Sequence, residues 1–140
     1  MSLPPALVDE TVATIFESMF FAMAEPEEGE ALASGVARLT ATVALLNPVQ
    51  GELRVELAEG VPRELFDTLW AGERAGSDAA DAELAAELVN TLAGQLVAKA
   101  APGAIVQIGL PIVTEGLAAG PGTRRSYRLD SGGAVVIAIS

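Results

Sequence analysis

Two pairs of β-rich runs, each folded back by a short turn, most constrain what this chain can become. Gly51 to Gly60, "GELRVELAEG", alternates with Leu53, Val55 and Leu57 on one face and Glu52, Arg54 and Glu56 on the other. Before it, "VARLTATVALL" (Val36 to Leu46) is β-branched and partly alternating, and Asn47-Pro48-Val49-Gln50 supplies turn chemistry between the two. Towards the C-terminus, "RRSYRLD" and "AVVIAIS" are joined by Ser131-Gly132-Gly133, a tight hairpin. Strands joined by turns this short pair antiparallel.

Helical patterns lie outside these hairpins. Val8, Val12, Ile15, Phe16, Met19 and Met23 follow helical spacing and predict a helix over about Ala6 to Ala24, after Pro4-Pro5. "EPEEGE", Glu25 to Glu30, reads as a solvated loop. Pro62 suits the first turn of a short helix ending near Gly72, with Leu65, Phe66, Leu69 and Trp70 on its apolar side. Ser77 or Asp78 would cap a long helix reaching about Ala101, where Pro102-Gly103 stops it. "AIVQIGLPIV", Ala104 to Val113, is a strand interrupted by Pro111, which argues for a strand end, a bulge or a sheet edge. The expected fold is one α+β domain over residues 1–140: a mostly antiparallel sheet with two long helices and one short helix packed on it. A helix followed by a hairpin occurs twice, which hints at internal duplication.

Composition removes most chemistry. The chain has no cysteine and no histidine. Thiolate nucleophiles, zinc–cysteine sites, Ser-His catalysis and histidine-ligated metals are therefore excluded. Nineteen acidic residues against 8 basic give a formal charge of −11, which repels phosphate backbones and argues against nucleic-acid binding. No apolar run approaches the roughly 20 residues of a membrane span. Nor does the N-terminus carry a basic region followed by an apolar one, so the cytoplasm is the expected compartment.

Within the long helix, Glu83, Glu87, Asn90 and Gly94 stand at steps of four, three and four. At about 100° per residue they form one narrow stripe, opposite Leu84, Leu88, Leu92 and Leu96. Asn and Gly are poor residues for a merely solvated helix face. Gly costs about 1 kcal/mol against Ala in mid-helix, so close packing on a neighbour or close approach of a partner should compensate. By contrast, Arg124 and Arg125 read as strand-edge charges.

Asn90 is followed 21 residues later by Pro111, then by Val113 and Gly116. The pattern Glu87-x-x-Asn90 with Ala93-Gly94, then Pro111-x-Val113-x-x-Gly116, resembles the CheC/CheX/FliY family of chemotaxis response-regulator phosphatases. The likeness is strongest to the CheX branch, and the order of elements matches from about Leu7 to Ser140. The resemblance implies dephosphorylation of a CheY-like phosphorylated response regulator. Asn90 would hold the attacking water and Glu87 would pair with the receiver's lysine. Glu83, Gly94 and Pro111 would contact the partner. Magnesium would come with the receiver, since no carboxylate cluster here has a convincing ligand arrangement. Two-site members repeat Glu-x-x-Asn on the first helix; here the counterpart is Glu17-Ser18-Met19-Phe20, which implies one site per chain. The CheX branch also implies a homodimer built through the sheet. The alternative is a non-catalytic domain that binds a response regulator, as a flagellar-switch component would.

Overall fold

The computed structural model describes residues 3–27, 37–70, 78–116 and 122–140. Among them are three helices, α1 (Pro5–Phe20), α2 (Val61–Trp70) and α3 (Asp78–Ala100). Seven strands accompany them: β1 (Ala24–Glu27), β2 (Ala37–Asn47), β3 (Gly51–Ala58), β4 (Gln107–Ile108), β5 (Ile112–Glu115), β6 (Thr123–Leu129) and β7 (Ala134–Ile139). They form one sheet in the order β1-β6-β7-β3-β2-β4, with β5 also paired to β2, and every pairing is antiparallel. The expected α+β class and both hairpins are present.

The topology gives the hinted duplication a physical form. Helix, short strand and hairpin occur first as α1-β1-β2-β3 and again as α3-β5-β6-β7. The short strand of each half pairs with the hairpin of the other: β1 with β6, and β5 with β2. The two hairpins meet at β3 and β7, in the register Leu53↔Ile139 to Leu57↔Val135. This exchange locks both halves into one sheet.

One sheet face carries the core. Leu53, Val55 and Leu57 of β3, Val135 and Ile137 of β7, and Ala41, Val43 and Leu45 of β2 are buried there. Val12, Ile15 and Phe16 of α1 belong to the same cluster, as do Leu84, Leu88, Leu92 and Leu96 of α3. Burying a side chain of this size contributes roughly 1.5–3 kcal/mol. The α3 leucines therefore fix which way its polar stripe faces.

Several expectations need correction. The first helix ends at Phe20, because Phe21 turns left-handed (φ 52°) and its N–H donates to the Glu17 carbonyl. Glu25 to Glu27 belong to β1, an edge strand whose Pro26 lies opposite Tyr127 and whose Glu27 carboxylate accepts from Arg128 at 3.1 Å. Glu28 to Glu30 of the expected loop lie outside the described residues. The 104–113 strand is two short ones. Between them, the Gly109 N–H donates to the Ala44 carbonyl at 2.8 Å, and Pro111 immediately precedes the edge strand β5. Ser77, a proposed cap, and the side chains of Trp70 and Asp78 lie outside the described residues.

The face of β3 opposite its leucines is buried as well. Arg54 is 3% exposed and Glu56 0%. Glu56 accepts from Arg124 at 2.9 Å. Arg124 and Arg125 lie on β6 beyond its pairing with β1, which covers Ser126 to Leu129, and both side chains make ion pairs within the chain. Arg125 reaches α1, donating from Nε and Nη2 to the two oxygens of Asp9 at 2.7 and 2.6 Å. The buried Tyr127 hydroxyl donates to Asp9 Oδ1 at 2.6 Å.

This triad has a signed consequence for stability. Burial alone would raise the Asp9 pKa, but the hydrogen bonds from Arg125 and Tyr127 and the nearby cation outweigh it, leaving Asp9 below the usual carboxylate value of 3.8. A depressed folded-state pKa means that the contribution is complete above the unfolded value and fades as pH falls through the folded one. Asp9→Ala is expected to lose about 2 kcal/mol at neutral pH, between the values for exposed and buried pairs. In urea unfolding at several pH values, the gap to wild type should narrow below pH 3.8. A gap independent of pH would remove the ionic account.

Candidate functional site

The polar stripe of α3 is on the surface, held there by the leucines behind it. Glu83 and Glu87 are exposed, while Asn90 and Gly94 are partly exposed. Thr91, one residue beyond Asn90, donates its hydroxyl to the Glu87 carbonyl at 2.9 Å. That bond back to the preceding turn fixes the Thr91 side chain beside the stripe. The sequence reading did not single out Thr91, although its spacing of four from Glu87 was visible.

Asn90 is the unusual member. Its residue is only partly covered, yet Oδ1 is buried and has no hydrogen-bond partner among the described residues. A buried acceptor without a partner costs about 1–3 kcal/mol. Structural polar groups are normally satisfied, so this amide stands out among the described residues of the helix.

Gly94 answers the question left by its helix cost. A Cβ built there meets nothing within 4 Å. Among the described residues, tight packing is therefore not the reason for glycine.

Pro111 lies between β4 and β5, both of which pack against α3. It is partly buried, whereas Leu110 and Ile112 on either side are 88% and 65% exposed. The rest of its motif has structural roles. Val113 packs against the core, and Gly116 takes φ 81°, a left-handed conformation that favours glycine. The Gly116 carbonyl accepts the Thr40 hydroxyl at 2.7 Å.

The end of α1 offers no second amide. Glu17 is exposed, but Phe20 is 2% exposed and packs on Phe16 at a ring separation of 5.6 Å. Among the described residues no group of three or more carboxylates stands close enough to hold a metal ion. No described helix is long and apolar enough to cross a membrane.

No protein-family model and no curated protein matches the sequence. Solved structures do match. Chemotaxis protein CheX from Vibrio vulnificus aligns with a TM-score of 0.73 at 14% identity, covering 97% of this chain and 95% of that one. CheX in a complex with CheY, beryllium fluoride and magnesium, from Borrelia burgdorferi, aligns at 0.71 and 14%, covering 96% and 95%. The FliM middle domain from Vibrio alginolyticus aligns at 0.65 and 12%, covering 99% and 90%. With identities this low, the likeness is one of fold, carried over nearly the whole length of each protein. The chain has the fold of the CheX proteins, shared with the FliM middle domain.

Proposed function

We propose that this protein dephosphorylates an aspartyl-phosphate receiver domain of the CheY type, with Asn90 positioning the attacking water. The observation that carries this reading is the Asn90 amide: a polar group whose oxygen has no partner among the described residues, near the open space at Gly94, on a fold seen elsewhere bound to CheY. The water oxygen attacks phosphorus in line with the acyl oxygen. The P–O bond to the receiver's aspartate breaks, and phosphate leaves with the water's proton. The Asn90 oxygen is buried, but the amide NH2 can donate to the water oxygen and orient it, so no histidine or cysteine is required. About 100-fold acceleration corresponds to only about 2.7 kcal/mol.

Glu87, exposed one turn before Asn90, pairs with the receiver's lysine and sets the docking angle. Glu83 and Pro111 contact the receiver on either side. Magnesium is supplied by the phosphorylated receiver, where it neutralises the phosphoryl oxygens. Such a partner places the reaction in the cytoplasm. The test is phosphate release from a phosphorylated receiver with magnesium. Acceleration above the receiver's own rate supports the proposal, and an unchanged rate across the receivers of the same organism overturns it.

The likeness to the FliM middle domain favours a second reading, in which the same face docks a receiver without hydrolysis. Binding to the phosphorylated receiver with no acceleration would select it.

A homodimer through the sheet belongs to the same proposal. The β4/β5 side of the sheet presents Leu110 at 88%, Ile112 at 65% and Leu46 at 50% exposure. An exposed apolar edge of this kind invites a second strand. In sedimentation equilibrium, Ile112→Lys is expected to shift a wild-type dimer to monomer. A variant that remains dimeric would move the interface elsewhere.

A further inference from the structure

Away from the α3 stripe, a cavity of about 430 Å³ opens between the start of α1 and the ends of both hairpins. Leu3 and Val8 of the α1 side, Leu45 and Val49 at the first hairpin turn, and Ile137 and Ile139 of β7 give it aliphatic walls. The cleft is open to solvent at Pro4, Pro5, Gln50 and Thr123 and closed at its base by the buried Val8, Leu45, Val49 and Ile137. Water held here would meet few partners. Pro4 and Pro5 at the rim have no N–H to offer. Polar lining is confined to Gln50, Thr123, Arg125 and Ser140.

The polar side also limits the head group. Arg125 is already engaged by both oxygens of Asp9, so its charge is balanced within the chain. The surrounding chain carries a formal charge of −11. Together these favour an acceptor without a negative charge over an anion.

We propose that this cavity binds a small, neutral, largely aliphatic molecule with one hydrogen-bonding oxygen, its chain against Leu45, Val49 and Ile137 and its oxygen towards Thr123 and Arg125. The volume lies within the range of about 300–1,000 Å³ common for small-molecule sites, and an aliphatic lining with few polar groups is their usual composition. This inference is independent of the phosphatase reading, because none of the stripe residues lines the cavity.

The experiment titrates the full chain with octan-1-ol and, separately, octanoate, following backbone amide NMR shifts. Saturable 1:1 binding of octanol is expected, with shifts centred on Val8, Val49, Thr123 and Ile139, and with octanoate at least about tenfold weaker. Val49→Phe, which fills the space, should abolish octanol binding while the unfolding transition remains cooperative. If that variant fails to fold, the wild-type shift map decides. Shifts scattered over the surface, no saturation, or equal binding of octanol and octanoate would overturn the proposal.

Discussion

Asn90→Ala is expected to return phosphate release to the receiver's own rate, a loss of about 100-fold or more, without weakening the fold. The activity loss follows from removing the only group assigned to hold the water; at about 2.7 kcal/mol it lies within what one preorganised amide supplies. The stability prediction has the opposite sign. Truncation removes a buried acceptor that has no partner. It also replaces Asn by a better helix former, worth about 0.5 kcal/mol. A gain of about 1 kcal/mol should raise the melting temperature by roughly 3 °C in a domain of this size. Affinity for the phosphorylated receiver should change only a few-fold, because Glu87 and the rest of the stripe remain. Calorimetry and phosphate release on the same preparation separate the cases. Activity lost together with a melting temperature several degrees lower would make Asn90 a structural residue and remove it from the mechanism.

The hairpins and the long helix were legible because their apolar residues recur at the strand and helix periods. Leu53, Val55 and Leu57 alternate, and Leu84, Leu88, Leu92 and Leu96 recur every four residues. β3 is buried on both faces, so the alternation does not reveal that Arg54 and Glu56, polar by type, lie in the interior. The partner of Glu56, Arg124, is 68 positions away in the chain, a distance no local pattern spans. β1 was hidden for the opposite reason. An edge strand tolerates proline and charge, so "EPE" carries no β signature, and only its pairing with β6 makes it a strand.

The candidate site shows the same division. The stripe itself is a matter of periodicity and was visible. That the Asn90 oxygen is buried and unpaired depends on neighbours brought in by folding, and so does the open space at Gly94. The motif around Pro111 proved more structural than its spacing implied. Val113 packs on the core and Gly116 turns the chain at the end of the edge strand.

Gly94 therefore supports the second large prediction. With nothing within 4 Å of an added Cβ, Gly94→Ala should stabilise the free protein by about 1 kcal/mol, the ordinary helix preference for Ala over Gly. Gly94→Leu should also be at least as stable as wild type, since its side chain extends from an open position. Binding should move the other way. If the receiver approaches the helix where glycine leaves room, a methyl group weakens the complex several-fold, and a leucine at least about 100-fold, because misfit at a docked surface displaces every neighbouring contact. Melting temperature and receiver affinity, measured across wild type, Ala and Leu, give the answer. A solvated face would gain stability and leave binding unchanged; a packed helix would lose stability. Only a surface kept clear for a partner gains stability while losing binding. If both variants bind the phosphorylated receiver as wild type does, docking over Gly94 is wrong, and the receiver must meet the stripe from the Glu83 end.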